Sequence, residues 1–346
     1  MKHTYLIGEI GQNHNGSAAL ANVIIDLIAR PIEEKTFGLD LAGMDAVKLT
    51  KRDLDEELTK SAMTRPYESP NSFGKTYGEH REALELNDEE HFEVYQHAKS
   101  KGLEFVETLC AVGCLSMLKL FTPDKLKVAS RDLTNLPLLE ALAETKIPII
   151  LSTGMAGPAE LDEALEVIAK HHSDISILHC VSEYPTHPNN LNLRSIDYLK
   201  KHYGNYTIGF SDHTIGISAP VAAVAMGAEI VEKHITLDRR MKGTDQAGSL
   251  GPDGVHRMVR DIRLLDMSMG EEDMFVAEGV ASARVKLERS IATKRPMSAG
   301  ETISLADIHM LSPGDGFKWR DKQKVIGKTL AQDVAADEII YPNQLS

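Results

Sequence analysis

Short apolar runs rich in β-branched residues alternate with longer segments of helical periodicity along most of the chain. The runs are TYLIGEIG (4–11), DAVKLTK (45–51), EFVETL (104–109), KLKVAS (125–130), PIILSTG (148–154), SILHCV (176–181), YTIGFSDH (206–213) and EIVEKHITL (229–237). Their length suits strands, and their Val, Ile and Leu content suits strands buried on both faces. Between them, SAALANVIIDLIA, NDEEHFEVYQHAKSKG, LPLLEALAET and GPAELDEALEVIAKHH carry the spacing of amphipathic helices. The last of these opens with Pro158, where a first helical turn accepts proline. Eight strands alternating with helices predict an α/β fold, a (β/α)8 TIM barrel. An open doubly wound sheet is the alternative, but it expects a Gly-rich dinucleotide turn after the first strand, and GEIGQNHNG lacks the G-x-G-x-x-G spacing.

The alternation ends near residue 275, so the barrel domain is expected over 1–275. From Glu288 the texture changes to short strands and turns, as in RSIATKRPMSAGETISLADIHMLSPGDGF and VIGKTLAQDVAADEIIYPNQ. This predicts a small β-rich module over 288–346, joined by a linker over 276–287. A length of 346 residues fits a barrel plus such an appendage, and an apolar fraction of 42% can fill a large core.

Charge narrows the function classes. The net charge of −13, with no basic stripe, argues against a nucleic-acid partner. An anionic substrate would need cations placed locally against that field. No apolar run reaches the ~20 residues of a membrane span, and MKHTYLIGEIG does not read as a signal peptide, so a cytoplasmic protein without a membrane partner is expected. Cys110, Cys114 and Cys180 are too few and too irregular for a disulfide framework, and read as buried thiols.

In a (β/α)8 barrel the chemistry sits at the C-terminal ends of the strands. These tips are polar here: Glu9, Lys48, Thr108, Ser130 with Asp132, Ser152 with Thr153, Ser182 with Tyr184, Ser211 with His213, and His234. His213 and His234 end neighbouring strands, where two imidazoles can share a metal ion; a lone histidine would more often be a core residue. Ser130, Ser152 and Ser211, with Lys127 and the amides near Gly154, make a donor set for a phosphate or carboxylate, although any one serine can equally cap a helix. Lys48 ends an apolar strand and must meet a carboxylate, an anionic ligand, or act as a Schiff-base amine. Glu9 can handle protons, hold a metal-bound water, or form a structural ion pair with Lys48.

The strings GEIGQNHNG, VK (47–48), KVASRDLTNLPL, ILSTGM, LHCVSEYPT, GFSDHT and EKHITLD, in this order on these strands, resemble the sialic acid synthase family, which includes N-acetylneuraminate, legionaminate and pseudaminate synthases. The C-terminal RSI, AGETIS and VIGK resemble the antifreeze-like (SAF, β-clip type) domain that follows the barrel in that family. The resemblance implies a transferase that condenses phosphoenolpyruvate with the open-chain aldehyde of a hexose such as N-acetylmannosamine. The product is a nine-carbon 2-keto-3-deoxy (nonulosonic) acid, released with phosphate. A divalent metal, Mn2+ or Mg2+, is implied on His213 and His234, with Glu9 and Asp132 at further catalytic positions. Lys48, Thr108, Lys127, Ser130, Ser152, Ser182 and Ser211 fall at positions that contact phosphoenolpyruvate, and Thr50, Tyr184 and Asp245 at positions that face the sugar. A domain-swapped homodimer, each C-terminal module closing the partner's barrel mouth, is also implied.

Three positions depart from the family pattern. Thr50 stands where bacterial members often have glutamine, Asp132 where they have the glutamate of SGE, and Ser312 where an arginine usually precedes PG. That arginine reaches the acylamino end of the sugar from the neighbouring subunit, so the sugar stays open among N-acetylmannosamine, a diacetamido hexose and a phosphorylated hexose. Two other functions stay open on the residues alone: a Schiff-base pyruvate aldolase using Lys48 or Lys127, and a carbohydrate-binding protein without turnover.

Overall fold

The computed structural model describes residues 3–346, which divide into two compact units, 3–270 and 271–346. In the first unit the eight runs form the strands β1 (Tyr5–Gly11), β2 (Ala46–Lys51), β3 (Glu104–Leu109), β4 (Lys125–Val128), β5 (Ile149–Ser152), β6 (Ile175–Cys180), β7 (Thr207–Asp212) and β8 (Ile230–His234). They close into a barrel in sequence order, every neighbouring pair parallel, with β8 paired to β1. The expected α/β barrel is therefore present.

Two strands stop short of their apolar runs. Ser130–Asp132 turn into a 3-10 helix after β4, and β8 ends at His234 although ITL continues to 237. Both endings bring polar side chains over the barrel mouth. A short hairpin, Ile32–Glu34 with Leu39–Leu41, escaped the sequence reading because each arm is only three residues long.

Strand alternation sorts the barrel into an outer and an inner face. Outward residues such as Leu6, Val47, Phe105, Leu126, Leu151, Ile177, Phe210 and Val231 join the large core shared with the surrounding helices. Inward residues Ile7, Ala46, Val106, Ile150, Leu178 and Ile230 form a separate apolar layer deep in the barrel. Two residues further along each strand the inward positions become Glu9, Lys48, Thr108, Ser152, Cys180 and Glu232, with Lys127 and Ser211 at the same level. The barrel is thus plugged by hydrocarbon below and lined by hydrogen-bonding groups above.

The helices follow ordinary capping rules. Ser17 caps the helix Ala18–Ile28 by accepting from the Leu20 amide, and Asn87 with Glu90 forms a capping box on Asp88–Ser100. No helix among the described residues is long and apolar enough to cross a membrane.

The second unit has its own core of Ile291, Met297, Ile303, Ile308, Val325, Leu330, Val334 and Ile340. Its antiparallel pair, β9 (Ser290–Thr293) and β10 (Ile308–Leu311), is extended by the bridge of Ala292 with Ile339, and a further isolated bridge joins Met297 with Val334. The stretch 276–287, expected as a linker, carries a short helix at Ala281–Leu287 and exposes Val276, Val280, Val285 and Leu287, with Phe275 exposed just before it.

Candidate active site

A cleft of about 380 Å³ opens at the C-terminal end of the strands. Thirteen of the fourteen candidate residues line it: Glu9, Lys48, Thr50, Thr108, Lys127, Ser130, Ser152, Ser182, Tyr184, Ser211, His213, His234 and Asp245. Asp132 does not. Its carboxylate turns to Arg131, 3.2 Å away. The 3-10 turn at Ser130–Asp132 sends Ser130 inward and Asp132 aside, so the expected catalytic place for Asp132 has no geometric support here.

The floor is an ionic cluster. Lys48 Nζ lies 2.5 Å from Glu9 Oε2 and 3.6 Å from Glu232 Oε2, and it donates to Thr108 Oγ1 at 3.2 Å. Lys127 Nζ lies 3.9 Å from Glu232 Oε1 and donates to the Val128 carbonyl at 3.0 Å. Ser211 donates to Glu232 Oε1 at 2.8 Å. Sequence reasoning missed Glu232, which joins both lysines and a serine. The signal was available in IVEKH, where period-2 alternation from the inward Ile230 to the inward His234 passes through residue 232.

Burial and charge push these groups apart. Desolvation raises Glu9 well above the ordinary carboxylate range; Lys48 offsets part of this, and the nearby Glu232 charge adds to it. Burial alone also disfavours the Glu232 carboxylate, but Lys127 and Lys48 outweigh it and hold Glu232 below its usual range. Lys48 loses stability as an ammonium by burial, yet Glu232 and Glu9 more than restore it, so its pKa is raised. Lys127 is lowered by its burial, which the Glu232 charge offsets only in part and the nearby Lys48 reinforces. Two carboxylates with separated tendencies are a standard basis for dividing acid and base roles.

Above this floor, hydroxyls converge around Gly154. Its amide donates to Ser130 Oγ at 3.0 Å. A Cβ at 154 would sit 2.5 Å from Ser182 Oγ and 2.8 Å from Ser130 Oγ, so only glycine lets both serines approach. Ser152 Oγ is buried with no hydrogen-bond partner.

On the β7 and β8 side the two imidazoles face each other, their centroids 5.5 Å apart, with Tyr184 packed 4.0 Å from His213 and edge-on to His234 at 6.0 Å. His213 Nδ1 donates to the Val181 carbonyl at 2.8 Å, which leaves Nε2 with its lone pair toward the cleft. His234 Nδ1 is buried and unpartnered. Burial, then the neighbouring His234, lowers His213 to about 4, and burial also lowers His234. Neutral imidazoles with unshared pairs are what a cation requires. Among the described residues no third His, Cys, Asp or Glu joins them as a ligand cluster, so the pair suits an ion whose shell is otherwise oxygen from water or substrate.

Asp212, the neighbour of His213, has another task. It accepts from the Thr214 amide at 2.9 Å and from Lys233 Nζ at 2.5 Å, which ties the tip of β7 to β8 from outside the cleft. The cleft also contains Gln12 and Arg52 from loops, Arg81 from the short helix Tyr77–Glu82 and Arg131 from the 3-10 turn, places where the strand pattern gives no direction.

The model of the NeuB family matches residues 39–274, and that of the SAF domain matches residues 288–346. The chain belongs to the NeuB family. It is 32% identical to the N-acetylneuraminate-9-phosphate synthase of Drosophila melanogaster, over 99% of this chain and 95% of that one. It is 30% identical to the N,N'-diacetyllegionaminic acid synthase of Legionella pneumophila, over 96% and 92%. Among solved structures, the N-acetylneuraminic acid synthetase of Leptospira borgpetersenii in complex with citrate superposes with a TM-score of 0.66 at 31% identity, covering 81% of this chain and 90% of that chain. This NeuB-family chain thus combines a closed eight-stranded parallel barrel with a C-terminal SAF domain.

Proposed function

We propose that the chain condenses phosphoenolpyruvate with the open-chain aldehyde of a hexose and with water, giving a nine-carbon 2-keto-3-deoxy acid and inorganic phosphate. One observation carries the reading: cations, hydroxyls and imidazoles converge at the strand tips, and Ser152 Oγ and His234 Nδ1 are buried there without partners. An unsatisfied buried polar atom costs about 1–3 kcal/mol, so such a site is built for completion by a ligand.

Lys48 and Lys127 face the carboxylate of phosphoenolpyruvate, while Ser130, Ser152 and Ser182 around Gly154 donate to its phosphate. His213 and His234 are the side chains that would hold a divalent cation, Mn2+ or Mg2+, and such an ion supplies Lewis-acid polarisation of the sugar aldehyde. Tyr184, Thr50 and Asp245 position the sugar above that point. C3 of phosphoenolpyruvate then forms the new bond to the aldehyde carbon, water adds at C2, and the bond from C2 to the bridging oxygen breaks as phosphate departs. Glu9 in its ionised form accepts the proton that the incoming water loses, its burial having raised its basicity, and that proton balances the one gained by the former aldehyde oxygen.

Phosphoenolpyruvate bearing oxygen-18 in the bridging position distinguishes this course. The label is expected in the released phosphate. Label retained in the keto acid would mean cleavage on the phosphorus side and would overturn water addition at C2.

The relatives' names include a phosphorylated product and a diacetylated one, and the sugar here is N-acetylmannosamine or a related hexose. Also proposed are a cytoplasmic reaction and a domain-swapped homodimer as the working unit. The apolar side chains exposed between Phe275 and Leu287 support a requirement for a covering partner. Removal of the residues from Glu288 onward is expected to leave a folded barrel with only a small fraction of its turnover. Full turnover in the truncated protein would sink the idea that the module closes a partner's barrel.

A further inference from the structure

Lys233 is buried outside the cleft, between two residues that line it. Glu232 and His234 face inward from β8, so residue 233 points into the shell between barrel and helices, where its neighbours Val231 and Phe210 are apolar. Its side chain is 1% exposed, and so is that of Asp212, its partner in the β7–β8 register. Lys233 Nζ donates to Asp212 Oδ2 at 2.5 Å and also to the Thr214 carbonyl. Asp212 accepts in addition from the Thr214 amide at 2.9 Å and from the Thr214 hydroxyl at 3.1 Å. One ammonium therefore holds the residues on both sides of His213.

Stability does not account for this pair. A buried ion pair gains little over apolar side chains of similar size, because the desolvation of both charges offsets their attraction. Its surroundings point to the histidines. On the β6 side His213 is anchored by its carbonyl, which accepts from the Thr186 amide at 3.0 Å, and by Nδ1, which donates to the Val181 carbonyl at 2.8 Å. Lys233 anchors the same residue from the β8 side, and in the chain Lys233 directly precedes His234. A single side chain is thereby joined to both strand tips that carry an imidazole, the two rings lying 5.5 Å apart between centroids.

We propose that Lys233 is a positioning residue: by clamping Asp212 and Thr214 it holds the His213 imidazole in the relation to His234 that a shared divalent cation requires. The inference rests on the preceding reading of the two histidines as the side chains that would hold the ion. Without the clamp the tip of β7 keeps its contacts to β6 but loses its tie to β8, and the two nitrogen donors are no longer fixed relative to each other. Groups that orient metal ligands in this way commonly change metal affinity by roughly 10- to 100-fold when removed.

Calorimetric titration with Mn2+ of the full-length protein, first stripped of metal with a chelator, tests this in the wild type, in Lys233→Met and in Lys233→Met combined with Asp212→Asn. Melting temperatures and the Cε1 resonances of carbon-13-labelled histidine are recorded on the same metal-free proteins, His213 being assigned by its loss in His213→Gln. Lys233→Met leaves the buried Asp212 carboxylate uncompensated and should lower Tm, whereas the double variant leaves no unpaired charge and should recover most of that loss. Mn2+ affinity is expected to fall roughly 10- to 100-fold in Lys233→Met and to stay low in the double variant, because the Thr214 carbonyl still lacks its donor. The His213 resonance should shift or broaden in both. A purely structural role predicts an affinity that recovers together with Tm in the double variant, and that result overturns the proposal. So does wild-type Mn2+ affinity in both variants, or a His213 resonance that neither variant moves. Failure of the wild type itself to bind Mn2+, while the His213 resonance moves in both variants, defeats the metal reading and supports the positioning of His213 by Lys233.

Discussion

Replacement of Glu9 by glutamine is expected to lower kcat by roughly 10²- to 10⁴-fold, the range for loss of a positioned acid–base group. Glutamine keeps the size and can still meet Lys48, so folding is preserved better than the reaction. Because burial raises the Glu9 pKa, the carboxylate is lost as pH falls through a value well above the ordinary glutamate range. The kcat profile of the wild type should therefore show an acidic limb displaced toward neutrality, with activity falling as pH decreases, and the Glu9→Gln profile should lack that limb. A purely structural ion pair with Lys48 predicts otherwise: a modest drop in kcat, an unchanged profile and a lower melting temperature.

Glu232→Gln is expected to be the most destabilising single change at the site, by about 3–5 kcal/mol, because it strips two buried lysines of a shared counter-ion. Glu9 still balances Lys48, but Lys127 keeps only the Val128 carbonyl. Denaturant unfolding of the barrel measures the loss. Pairing Glu232→Leu with Lys127→Met should recover most of it, since Lys48 keeps Glu9 and only the Ser211 hydroxyl loses its acceptor. A cost within about 1 kcal/mol for Glu232→Gln would show that water or rearrangement already neutralises the cluster, and would contradict the ionic floor described above.

The barrel was legible because its strands are buried on both faces and read as separate apolar runs between helical patterns. The inward layer followed from position within each strand, which is why Lys48, Thr108 and His234 fell into one cleft. Legibility failed where the backbone left regular geometry. Asp132 lies in a 3-10 turn, where period-2 reasoning gives no direction, and it turned toward Arg131 instead of the cleft. Arg81 reached the cleft from a helix of six residues in the excursion after β2, and no local pattern announces that approach. Glu232 was a different omission. It lay in a well-predicted strand, but attention to its histidine neighbour passed over the inward carboxylate two residues earlier.

The most direct test of the account follows phosphate release and the mass of any new acid when the protein is given phosphoenolpyruvate, Mn2+ and one hexose at a time. The panel contains N-acetylmannosamine, mannose, their 6-phosphates and diacetamido hexoses. The account predicts sugar-dependent phosphate release that stops with a chelator, and a product whose mass equals the sugar plus phosphoenolpyruvate plus water minus phosphate. Release without a sugar, no release with any sugar, or a covalent adduct trapped by borohydride between pyruvate and Lys127 would contradict it.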